Sequence, residues 1–156
     1  MSTVLASLKE FEKSLPTVPA PVANYVPYVI VKASHTLFTS GVLPIENGEV
    51  LYQGQLKTFD DVEKGKHAAR LACINALSVV NAAIGGLDKI TRIVKLTGFV
   101  SSDPHFTDQP LVMNGASDLL VEVFGDIGKH ARSAVGVAAL PKNASVELEL
   151  IVEIAS

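Results

Sequence analysis

The segment Val146–Ile154, VELELIVEI, constrains the fold more than any other stretch of this chain. Val146, Leu148, Leu150, Val152 and Ile154 point one way and Glu147, Glu149 and Glu153 the other, the period of two that sends successive side chains to opposite faces of a strand. Such a strand belongs in a sheet with one apolar face turned to a core. The acids are then either an ordinary solvated face or part of a site.

The rest of the chain supplies the other layer. Val62, Ala69, Cys73, Ala76, Val80 and Ile84 recur at helical spacing after Asp61 and stop at Gly85-Gly86, which predicts one long helix whose Ala-rich inner face approaches a sheet closely. ITRIVKLTGFVSS reads as a strand and LVMNGASDLLVEVFG as a second, shorter helix. ARSAVGVAAL and SVELELIVEIA read as the last two strands, separated by Pro141-Lys142-Asn143. At the front, YVIVKASHTLFTSG predicts two strands around a turn at Ala33–His35, and PIENGEV carries an Asn47-Gly48 hairpin signal, so a hairpin meander opens the fold. The order predicts an α+β fold with two helices on one face of a mixed sheet. The other face has no cover within the chain and calls for further copies.

Leu5, Leu8, Phe11 and Leu15 stand at helical spacing, with acids among them, which excludes a signal peptide. PTVPAPVANYVP then forbids a regular ladder and predicts an extended surface arm. A length of 156 residues suits one domain, 1–156, with residues 1–24 as N-terminal helix and arm. Hydrophobic residues make up 48% and charged residues 19%, which leaves little polar surface and points to self-association. The net charge of −3, without Lys/Arg runs, lacks the footprint of a nucleic-acid binder. No window approaches the ~20 apolar residues of a membrane span. Cys73 is the only cysteine, which excludes disulfides within the chain and fits a reducing compartment. A soluble, cytoplasmic protein is expected.

Few residues can carry chemistry. His35, His67, His105 and His130 show no metal-binding spacing, so no metal is expected, and EKGK is no phosphate loop. No serine has the context of a nucleophile, and Cys73 falls on the core face of its helix. Arg132 is different, because a permanent charge heads an apolar strand. From the strand alone it is either half of a structural ion pair or a ligand clamp. A simple hairpin about Asn143 would set Arg132 opposite the region of Glu153 and leave Glu147 roughly 20 Å away. Either the two strands are not neighbours, or the acid comes from another subunit, or Glu147 is not catalytic.

ARSAVGVAALP followed by VELEL resembles the signature of the RidA family, also called YjgF or "endoribonuclease L-PSP", the reactive intermediate deaminases. LFTSGVLP is similar to its Ser-Gly turn and VPYVIVKASHTLF to its first hairpin, and the likeness runs from about Asn24 to the end. The N-terminal arm and HARSAVGVA look like a longer subgroup. The resemblance implies a fold like trimeric chorismate mutase, with ligand clefts between the subunits of a homotrimer. It implies hydrolysis of 2-imino and 2-enamino acids to 2-oxo acids and ammonia without a cofactor. Arg132 would grip the substrate carboxylate and Glu147 would hold the attacking water. Tyr28, Ser40, Gly41, Asn114 and backbone at Ala134 would line the cleft. Ala134 and Gly136 depart from the family, which often has Cys or Thr at the first position and an acid at the second. The alternatives are a non-catalytic binder of small carboxylates on the same fold and, from the family's other name, an endoribonuclease.

Overall fold

The computed structural model describes residues 2–18 and 24–156. The elements are α1 (Ser2–Lys13), β1 (Tyr28–Val31), β2 (Thr36–Thr39), β3 (Ile45–Glu46), β4 (Glu49–Val50), α2 (Val62–Ile84), β5 (Ile90–Ser101), α3 (Gln109–Phe124), β6 (Ala131–Val137) and β7 (Val146–Ile154). α1 contains Leu5, Leu8 and Phe11 of the N-terminal helical spacing and ends before Leu15. The Pro-rich arm falls partly on residues 19–23, outside the described residues.

α2 begins where the Asp61 carboxylate accepts the backbone N–H groups of Lys57 and Thr58 at 2.7 and 3.0 Å, closing a capping box with Thr58. It ends where the Gly85 N–H donates to the Asn81 carbonyl at 2.8 Å. Its inner face, Ala68, Ala69, Ala72, Cys73, Ala76, Leu77 and Val80, is fully buried. With Met113, Leu119 and Leu120 of α3 it covers one face of a five-stranded sheet in the order β1-β2-β7-β5-β6. β5 and β6 run parallel, joined through α3, and the other neighbours are antiparallel. This is the mixed-sheet α+β architecture that the element order predicts.

β7 has the alternation its sequence dictates. Val146, Leu148, Leu150 and Val152 are fully buried under the helices, each burial contributing on the order of 1.5–3 kcal/mol. Glu147 and Glu149 are half-buried on the other face. There Val29, Phe38 and Val135 remain 53%, 40% and 46% exposed, so no described segment covers that face.

Two expectations are corrected, the first and third below, and one alternative the sequence left open is closed. The opening meander does not continue into the sheet, because β3 and β4 form a separate two-stranded hairpin. Pro44 lacks the N–H that a continuing ladder needs. Asn75 Nδ2 instead ties the Leu43 and Ile45 carbonyls to α2 at 3.0 and 2.8 Å. The Asn47-Gly48 turn itself is present, with φ of 52° and 85°. Second, the last two strands form no hairpin: β5 lies between them, with Leu96 opposite both Arg132 and Leu150, and Phe99 opposite both Val135 and Glu147. Third, one helical segment, Phe59–Ile84, has the length and mean hydropathy (1.3) of a membrane span. Half of that apolar window is buried in the fold, as befits a helix packed between β7 and α3.

Candidate functional site

Arg132 stands on the edge strand β6 beside α3. It is opposite Leu96, which is fully buried, so the arginine shares the helix-covered face. Its Nη1 donates to Asn114 Oδ1 at 2.9 Å and to Ser117 Oγ at 3.0 Å, and its Nη2 donates to the Pro110 carbonyl at 3.1 Å. Pro110, Asn114 and Ser117 follow one another at steps of four and three along one face of α3. All three acceptors are neutral, and among the described residues no carboxylate pairs with Arg132. A guanidinium carries five N–H donors, so Nε–H and one Nη2–H remain for an anion. Among the described residues the structural ion pair does not form.

Glu147 stands on the opposite face, at β7, across from Phe99. Between the pairs Phe38–Ile151 and Val42–Leu148, four steps of one chain oppose three of the other, a bulge at Ser40-Gly41. A Cβ on Gly41 would stand 2.9 Å from Glu147 Cδ, so a side chain there displaces the Glu147 carboxylate from its place. Ser40 Oγ donates to the Val26 carbonyl at 2.6 Å and Ser40 N–H to the Pro27 carbonyl at 2.9 Å, which pins the entering segment beside the bulge. Burial raises the Glu147 carboxyl above the ordinary carboxylate range, and the neighbouring charge of Glu149 pushes the same way. No cation pairs with Glu147 among the described residues.

The residues singled out in the sequence therefore form two groups. Arg132, Asn114 and Ala134 gather where β6 meets α3, with Ala134 packed on the core. Ser40, Gly41 and Glu147 gather at the bulge between β2 and β7. Tyr28 pairs with Thr39 in register and packs against the core. β6 and β7 are separated by β5, so Arg132 and Glu147 are roughly 10 Å apart across the sheet, about as far along it, and on opposite faces.

Two partners of the arginine, the Pro110 carbonyl and Ser117, were not singled out in the sequence, nor was His130 as the partner of Ser117. Ser117 Oγ lies 3.0 Å from His130 Nε2, and His130 Nδ1 lies 2.6 Å from the Gly128 carbonyl. The signal was present, since His130 precedes Arg132 by two, the step that keeps one strand face, and Ser117 follows Asn114 by three on a helix. Gly136 faces Gln109 and Ser102: a Cβ there would stand 2.8 Å from Gln109 Nε2 and 2.7 Å from Ser102 Oγ. These neutral polar groups occupy the space where an acid would otherwise project.

Cys73 is fully buried, and burial pushes its thiol up to about 12, which leaves no thiolate to act as a nucleophile. Among the described residues no group of three or more His, Cys, Asp or Glu is placed to hold a metal ion.

Residues 5–154 match the family described as "YjgF/chorismate_mutase-like, putative endoribonuclease". The chain is 45% identical over 152 residues to Protein TCP17 of Trypanosoma cruzi, covering 97% of this chain and 94% of that protein. It is 32% identical over 143 residues to the 2-iminobutanoate/2-iminopropanoate deaminase of Dermatophagoides farinae, covering 90% and 94%. Its fold superposes on the crystal structure of the protein Atu1372 of Agrobacterium tumefaciens, of unknown function, with a TM-score of 0.86 at 46% identity, covering 98% of this chain and 93% of that one. With its mixed sheet, its two covering helices and a family match over nearly its whole length, the chain belongs to the RidA/YjgF family.

Proposed function

We propose that this protein hydrolyses reactive 2-imino and 2-enamino acids to 2-oxo acids and ammonia, in a cleft formed between the copies of a homotrimer. The observation that carries the reading is the state of Arg132: a guanidinium held by three neutral acceptors, with two donors left and, among the described residues, no carboxylate paired to it. A substrate carboxylate supplies the missing negative charge through charge-assisted hydrogen bonds. Family membership supports the same chemistry, as does the relative named for that deaminase activity.

Substrate bound through its carboxylate presents its C=N carbon in a fixed orientation. Water attacks that carbon while Glu147 of the partner subunit takes one of its protons, and a new C–O bond forms as the C=N π pair moves to nitrogen. The nitrogen takes that proton and then the hydroxyl proton, both relayed by the same carboxylate; the oxygen pair left behind forms the C=O bond as the C–N pair departs with nitrogen, giving ammonia and a 2-oxo acid. An enamine first takes a proton at C3 and loses one from nitrogen to become the imine. A carboxyl raised by burial is a stronger base than an exposed one, which suits Glu147 to this role. An acid from a second copy agrees with the opposite faces of Arg132 and Glu147, and the uncovered apolar face around Phe38 and Val135 suits threefold closure.

The same opposite-face arrangement favours a second reading, a non-catalytic binder of small carboxylates, since one copy alone holds the clamp without the acid. One experiment separates the two. A serine dehydratase generates 2-aminoacrylate in the assay, and release of pyruvate and ammonia is followed with and without this protein. Acceleration supports hydrolysis. An unchanged rate together with saturable pyruvate binding supports the binder, and RNA cleavage without either supports the endoribonuclease of the family description.

A further inference from the structure

The arginine clamp has its own support, built from two side chains that touch no proposed reacting atom. Ser117 Oγ is 3.0 Å from Arg132 Nη1 and 3.0 Å from His130 Nε2. Arg132 can only donate, so Ser117 Oγ accepts that bond through a lone pair. The Ser117 proton is then free to go to His130, provided Nε2 is the acceptor nitrogen of the ring. The other ring nitrogen decides this. Nδ1 lies 2.6 Å from the Gly128 carbonyl, which can only accept, so in the neutral ring the proton sits on Nδ1 and Nε2 carries the lone pair. The bonds therefore run in one direction: Arg132 donates to Ser117, Ser117 donates to His130, and His130 donates to the Gly128 backbone.

Gly128 closes the 3₁₀ turn between α3 and β6, and its own position is tight, since a Cβ there would press on the Leu120 and Val121 backbone. The chain of bonds thus ends on a fixed part of the fold. Without the histidine acceptor the Ser117 hydroxyl is free to rotate, and its lone pair is no longer held toward the guanidinium. We propose that His130, acting through Ser117, is a positioning residue that orders the Arg132 guanidinium for anion binding. The inference rests on the carboxylate-clamp reading for its functional consequence, but the ordering itself is a property of the protein alone.

Two readouts on the full chain keep these apart. The first is the side-chain ¹⁵N spectrum of Arg132, in which a guanidinium held by several acceptors gives separate Nη1 and Nη2 resonances and a freely rotating one gives an averaged signal. The second is the affinity for pyruvate as a probe. Wild type should show separate resonances. Ser117→Ala removes the relay at a helix position that alanine suits, and His130→Ala removes its acceptor; both should average the signal and weaken pyruvate binding roughly tenfold, the scale of one lost hydrogen bond to a charged group. His130→Gln keeps an acceptor near Nε2 and should restore both. Separate resonances and unchanged affinity in Ser117→Ala and His130→Ala overturn the proposal. Averaging in both variants without any pyruvate binding by wild type upholds the positioning of Arg132 and overturns the clamp reading instead.

Discussion

Arg132 and Glu147 stand on opposite faces of one sheet, with β5 between their strands: Arg132 is opposite Leu96 under the helices, and Glu147 is opposite Phe99 on the uncovered side. A reaction that uses both needs two copies of the chain. Mixing Arg132→Ala with Glu147→Gln protein, each strongly impaired alone, should then raise hydrolysis after subunit exchange. Random pairing leaves about one quarter of the clefts with both native groups. Activity that stays at the level of the separate variants, with exchange confirmed by mass spectrometry, would rule out a shared cleft.

The neutral setting of Arg132 makes its fork shape testable. Arg132→Lys keeps the charge but offers it at one point, so it should retain assembly and lose most imine hydrolysis. Arg132→Ala should also weaken pyruvate binding by about 1.5–3 kcal/mol, the range for hydrogen bonds to charged groups. Titration calorimetry with pyruvate, beside the dehydratase-coupled assay, reads both effects.

Glu147 contributes a pH dependence of unusual sign. Its folded carboxyl is raised above the ordinary value of 4.5, chiefly by burial, so the folded state holds this proton more tightly than the unfolded chain. In the window just above 4.5 stability therefore falls as pH rises, and the full cost is present above the folded value. Glu147→Gln should unfold at a higher temperature than wild type at neutral pH and lose that slope. Thermal melts across this window check the sign, and the same variant should bind pyruvate while turning over imine slowly.

A side chain at Gly41 meets the Glu147 carboxylate where it stands. Gly41→Ala should push the carboxylate out of place, cutting hydrolysis far more than pyruvate binding, because the arginine lies at the other group of residues. Circular dichroism should show the fold retained. Equal loss of both activities would place Gly41 in the binding step rather than beside the base.

Much of the fold was legible because it depends on local periodicity. The alternation of Val146–Val152 against Glu147 and Glu149 specified a half-covered strand, and the three-to-four spacing from Val62 to Val80 specified a helix that packs on it. Asn47-Gly48 specified a hairpin turn by its backbone freedom alone. These signals lie within one element, so chain neighbours suffice to express them. Whether that hairpin joined the main sheet was a different matter, settled by Pro44 and by the reach of Asn75 from α2.

The partner of Arg132 lay beyond such signals. Sequence adjacency suggested that β6 and β7 pair, but the α3 crossover makes β6 parallel to β5 and sends it to the edge, beside the helix that supplies Pro110, Asn114 and Ser117. Those acceptors are 15 to 22 residues away in the chain, and no period connects them to the arginine. The sequence by itself determined which residues form strands and helices and which faces are apolar, because backbone sterics and side-chain period are local. Only the tertiary structure decided the strand order, and with it the placement of arginine and acid on opposite faces, because strand order follows from which long-range packing buries both helices at once.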